Sequence, residues 1–178
     1  MFRRIWPCLF AFVALLAVAS EVSAQRASRR FQPDGGIGVH ARVFALGSIG
    51  TDIDRPHYGG GGLLQVGYGR ASALALGLAG TGGDYESLLV GGGLGVRLLT
   101  TGPFELTAFG GYGMYSEKGW SGIERDAGGI LAGALVSARL GALRVALAFS
   151  DLMGEYGEDD VSEPFSFHAP RISIGVGF

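Results

Sequence analysis

The chain ends in RISIGVGF, Arg171 to Phe178. Ile172, Ile174, Val176 and Phe178 occupy every second position, and Arg171, Ser173, Gly175 and Gly177 fill the gaps. A strand repeats its side-chain direction every two residues, so one face of this segment is apolar and the other small or polar. Something apolar must cover one face: a core in a soluble protein, or lipid in a membrane barrel.

The pattern recurs upstream. In ASALALGLAG, Leu74, Leu76 and Leu78 alternate with Ala73, Ala75, Gly77 and Ala79, and in ALRVALAFS, Leu143, Val145, Leu147 and Phe149 alternate with Arg144, Ala146, Ala148 and Ser150. Weaker alternation runs through GVHARVFALG, GLLQVGYG, LLVGGGLGVRLL, FELTAFGGYGMY and GILAGALVSARLG. In the last of these, Gly129, Gly133 and Gly141 disfavour a helix. The reading is eight antiparallel strands of about ten residues, each long enough to cross a bilayer at a tilt.

Their connections alternate. Short turns are expected around Arg70, Thr100–Pro103 and Gly141, and longer polar stretches at about Ser48–Gly61, Ala79–Ser87, Ser116–Gly128 and Leu152–Pro170. Short turns at one end and long loops at the other are the plan of an up-and-down outer-membrane barrel with both termini on the periplasmic side. No asparagine occurs in the chain, so glycine is expected to supply the positive-φ turn positions.

Targeting and composition agree with export. Arg3 and Arg4 precede an apolar stretch from Ile5 to about Ala19, and Val22-Ser23-Ala24 precedes Gln25. This is the layout of a secretory signal peptide over residues 1–24, followed by a basic periplasmic tail over 25–36 and a barrel over 37–178. The one cysteine, Cys8, lies inside the signal, so neither disulfides nor thiolate metal ligands are expected in the mature chain. Removing residues 1–24 takes two arginines and one glutamate from 14 basic and 16 acidic side chains, which leaves an acidic balance and argues against a nucleic-acid partner. Glycine is abundant, 33 of 178 residues, without the Gly-X-Y period of collagen. After the signal no apolar run reaches the roughly 18 residues of a transmembrane helix.

The signal, the eight segments, the connection rhythm and a last strand ending ISIGVGF together resemble the small eight-stranded outer-membrane β-barrel proteins of the OmpA-like superfamily. The resemblance covers Ile37 to Phe178. It implies an all-β, eight-stranded antiparallel up-and-down transmembrane barrel in the cell outer membrane, monomeric and without a cofactor. Its partners would be outer-membrane lipids, lipopolysaccharide and the barrel assembly machinery, which would read Ile172, Ile174, Val176 and Phe178 as an assembly signal.

Side-chain size then orients the faces. The row holding Leu74, Leu94, Val145 and Ile172 is expected to meet lipid, and the opposite row, rich in Gly and Ala, to line the lumen. Tyr68, Phe104 and Phe178 fall at the turn-side ends of lipid-facing rows, where an aromatic girdle is expected. Arg42, Arg97, Glu105, Arg139 and Arg144 are expected to point inward near the turn side, with the glycines at 91, 93, 95, 111, 113, 175 and 177 making room for the long arginines. They form either a selectivity ring in a narrow pore or a buried polar plug; the plug is the expected reading, because an eight-stranded interior is filled by side chains.

No catalytic or metal site is expected. His40, His57 and His168 lie far apart, and neither VHARV nor FHAPR carries the serine of the His-x-Ser pair in outer-membrane lipid A deacylases. The last loop carries Asp151, Glu155, Glu158, Asp159, Asp160 and Glu163 without the spacing of a calcium loop, and reads as a solvated acidic loop. The glycine runs lack the Lys-Ser/Thr of a phosphate loop. The functional expectation is a structural or surface-interaction role, with a narrow solute channel and a wall-mounted lipid-modifying enzyme as alternatives.

Overall fold

The computed structural model describes residues 38–52, 55–83, 85–119, 124–156 and 166–178. The expected signal peptide, the tail and the acidic stretch 157–165 lie outside them. The strands are β1 (Val39–Asp52), β2 (Arg55–Tyr68), β3 (Ala71–Gly82), β4 (Tyr85–Thr101), β5 (Phe104–Gly119), β6 (Glu124–Leu140), β7 (Leu143–Tyr156), β8 (Ser166–His168) and β9 (Arg171–Gly177). β8 and β9 share one register on β7, with His168 opposite Met153 and Arg171 opposite Ser150. They form a single stave interrupted at Pro170, whose ring nitrogen cannot donate to a ladder. Each stave pairs antiparallel with the next, and β9 pairs with β1, so eight staves close a barrel.

The register fixes the shape. Starting at Val39, the cross-strand partners run through Tyr68, Ala71, Val96, Ala108, Ala134, Phe149 and Ile172 back to β1 at Ile49. One circuit thus climbs from residue 39 to residue 49 of the same strand. Such a stagger requires strands tilted by roughly 35–45° to the barrel axis, and an eight-stranded barrel of this kind is just wide enough for its own side chains.

Gly69, Gly102 and Gly141 stand at φ 60, 57 and 68° in the turns after β2, β4 and β6, the role expected of glycine in a chain without asparagine. The opposite end differs from expectation. β1 runs to Asp52 before β2 begins at Arg55, and β3 runs to Gly82 before β4 begins at Tyr85, so two of the expected long loops are mostly strand. The run Gly59–Gly61 fell within an expected loop, and glycine weakens strands. It is held in the sheet by pairing on both sides, with Gly60 opposite Gly47 and Ala79. Only the 120–123 and 157–165 connections are longer than two residues at this end.

Leu94, Val145, Ile172, Ile174, Val176 and Phe178 point outward, as expected, and Leu94 is 75% exposed. β3 reverses the expectation. Leu74, Leu76 and Leu78 are buried inside the barrel, and Ala73, Ala75 and Ala79 are exposed outside. Alternation defines two faces without saying which one is outer, and here the interior needs the bulk. An added Cβ would stand 2.5 Å from Leu74 Cδ1 at Gly95, 2.6 Å from Leu131 Cδ2 at Gly91 and 2.5 Å from Leu46 Cδ2 at Gly175. The glycines therefore make room for large apolar side chains crossing the lumen, where arginines were expected.

Candidate functional site: a stratified lumen

Three strata fill the interior. At the turn end, Arg42 of β1 crosses the lumen to Glu105 of β5. Its Nη1 donates to Glu105 Oε1 and its Nη2 donates to Oε2 at 3.0 Å. Arg97 Nε lies 3.6 Å and Arg144 Nη1 4.0 Å from Oε2 of the same carboxylate. Arg97 is held at the rim by donating from Nη2 to Gly69 O at 2.6 Å. A side chain relay continues from this knot: Arg42 Nη1 donates to Gln65 Oε1 at 3.4 Å, and Gln65 Nε2 donates to Ser72 Oγ at 3.1 Å. Arg42, Gln65, Ser72, Glu105 and Arg144 are all buried. A buried carboxylate is tolerable only when charges and donors surround it, and this one collects three guanidiniums.

The structure thus gathers Arg42, Arg97, Glu105 and Arg144, four of the five residues expected in the lumen. Arg139 is exposed at the rim, where its Nε donates to Gly141 O at 3.3 Å. Gln65 and Ser72 escaped the sequence reading as cluster members, although in GLLQVGYG Gln65 does alternate with Leu64, Val66 and Tyr68.

Above the polar knot the lumen is apolar. Phe44, Leu46, Leu63, Leu74, Leu76, Leu78, Leu89, Phe109, Leu131 and Leu135 form one buried cluster. The expectation that the inner row is mainly small and polar fails in this middle layer. A residual cavity of about 10 Å³ lies between Leu63, Leu76, Phe109 and Leu131. A water needs roughly 10–15 Å³ and polar partners, so this gap is dry. A second polar layer closes the far end: Arg171 is 1% exposed, its guanidinium carbon is 5.6 Å from the centre of the Tyr115 ring, and buried His57 adjoins it beside Gly50. Arg171 was legible as an inner-face residue of the last strand; its role as a central strut was not, because Tyr115 lies far from it in sequence.

The histidines are separate: His40 packs beside Gly67 at the turn end, His57 is buried at the far end, and His168 is exposed. His168 Nδ1 approaches Asp151 Oδ2 at 3.4 Å, a pairing created by the β7–β8 register. On the outer wall Tyr68, Phe104 and Phe178 stand at the turn end, exposed by 59, 57 and 48%. Phe178 is tied by its backbone N–H to Val43 O at 3.2 Å.

Closure, an apolar outer belt and a filled lumen define an eight-stranded antiparallel up-and-down barrel of the outer-membrane type. It is similar to Neisserial surface protein A, with 14% identity, TM-score 0.51 and coverage of 79% of this chain and 97% of that one. It is also similar to the N-terminal β-barrel domain of Pseudomonas aeruginosa OprF, with 13% identity, TM-score 0.52 and coverage of 80% and 99%. No family model and no curated protein matches the sequence.

Proposed function

We propose that the protein is an integral outer-membrane barrel with a structural or surface-interaction role, and that it conducts nothing through its lumen. The observation that carries this reading is the dry apolar layer between Phe44 and Leu131, which interrupts any aqueous path between the two polar layers. The outer wall supports the membrane setting. Leu88, Val90, Leu94, Met114, Ile130, Leu147 and Ile174 are all exposed there, a belt no soluble monomer would present to water. One fold neighbour bears the name of a surface protein, in keeping with that role.

In this reading the arginine–glutamate knot is a plug, Tyr68, Phe104 and Phe178 anchor the turn end at the periplasmic interface, and the terminal Ile172, Ile174, Val176 and Phe178 serve assembly. The test is electrical. Folded protein in a planar bilayer, identified by the heat-dependent gel shift of a closed barrel, is expected to give no unitary currents. Reproducible conductance from the same preparation overturns the closed-lumen reading and favours a narrow channel.

A further inference from the structure

β8 is fastened differently from the rest of the barrel. Among the described residues it pairs with β7 alone, through Met153–His168, Gly154–Phe167 and Glu155–Ser166, whereas each of the other strands has a neighbour on both sides. Pro170 offers no N–H to a ladder, so the backbone bond at the junction with β9 comes from Ala169, whose N–H donates to Leu152 O at 3.0 Å. A short ladder with a single partner is where a sheet opens locally.

One side-chain contact spans this ladder. Asp151 stands on the outward row of β7 between exposed Phe149 and Met153, and its Oδ2 lies 3.4 Å from His168 Nδ1. Asp151 Oδ1 is buried and accepts no hydrogen bond, so His168 is the partner of this carboxylate among the described residues. A neutral hydrogen bond is weak at that separation, and charge therefore sets the strength of the contact. The other charged groups nearby are placed differently. Glu155 occupies the register position opposite Ser166, at the far end of the ladder, while Arg171 of β9 and His57 of β2 are buried inside the barrel. β6 meets Asp151 with Ala132, and its charged Asp126 lies beyond the Ala127–Tyr156 pair.

We propose that Asp151 and His168 form a pH-dependent fastener that holds β8 onto β7 at the end of the barrel opposite the turns. In the window where carboxylates are ionised and histidines protonated, roughly pH 4–6, opposite charges draw the two strands together. Toward pH 8 the imidazole is neutral, the ion pair is gone and the short ladder carries β8. Well below pH 4 the carboxylate is neutral, with the same result. The last stave is thus firmest in mildly acid surroundings and loosens on either side of them.

The test is amide hydrogen exchange on the full-length barrel folded in detergent, with closure checked by the heat-dependent gel shift. The reporter is the Ala169 amide, its exchange rate divided by the intrinsic rate at each pH to give a protection factor. Protection is expected to be about two- to fivefold higher at about pH 5.5 than at about pH 8, the range an exposed ion pair supplies. That ratio should fall toward one in H168Q, in D151N, and in the parent at about 1 M salt, where a surface pair is screened. Amides of the β1–β2 ladder should be equally protected at both pH values. A parent ratio of one, an undiminished ratio in folded H168Q or at high salt, or the same ratio throughout the barrel overturns the proposal. The salt series on the parent decides the matter even where a variant does not close.

Discussion

Glu105 is the carboxylate on which Arg42, Arg97 and Arg144 converge, so its removal leaves three buried or rim guanidiniums facing one another. Glu105→Gln keeps the shape and removes the charge, and should lower stability by about 3 kcal/mol, the usual cost of orphaning a buried ion-pair partner. Urea unfolding midpoints in detergent will measure it; a midpoint equal to the parent's would mean that water already screens the cluster. Replacing Arg139, exposed at the rim, should shift the midpoint far less. Phe178 makes a different prediction, carried by the family resemblance and by its outward position. Deleting it forfeits one interfacial ring, about 1–3 kcal/mol, which a closed barrel tolerates. Assembly in cells should suffer much more than refolding in detergent, with the gel-shifted fraction compared in both settings. Similar behaviour in the two settings would reduce the terminal pattern to ordinary packing.

β3 offers the sharpest contrast between faces. Leu76→Ala should cost about 2–5 kcal/mol by opening a cavity beside Leu63 and Phe109, whereas the neighbouring Ala75→Leu, on the exposed outer wall, should be nearly neutral. The reverse order of the two unfolding midpoints would restore the orientation expected from side-chain size. That expectation succeeded on β4, β7 and β9 because their outward rows hold the larger aliphatics, as Leu94, Val145 and Ile172 show. It failed on β3 because which face is inner depends on space left by glycines on other strands, such as Gly95 next to Leu74. Strand number, closing partners and the inward direction of Arg42, Arg97, Glu105 and Arg144 were legible, since a period of two carries each of them. The apolar middle layer was half legible: Phe44, Leu89, Phe109 and Leu131 share the alternating rows of Arg42, Arg97, Glu105 and Arg139 in their segments, but their contact across the lumen depends on stagger, which no single segment records. The Asp151–His168 approach was hidden for the same reason.

The alternation of ends predicts topology for the complete barrel. Protease added to intact cells should cut between β7 and β8, the longest connection between strands, and leave the turns after β2, β4 and β6 intact. Cleavage there only after the outer membrane is breached would invert the orientation. The interrupted eighth stave carries a mechanical implication. β1 and β9 share only the register from Phe44–Gly177 to Gly50–Arg171, while β1 and β2 are paired from Val39–Tyr68 to Asp52–Arg55. The closing seam is thus half as long as the β1–β2 zipper and joins segments that lie at opposite ends of the described chain. A tether pulling on the C-terminus loads that zipper and the β7–β9 ladder together, strand by strand, before any other pair feels tension. Extraction under force should therefore begin with release of the last stave as one discrete step, and the remaining hairpins should follow in reverse chain order.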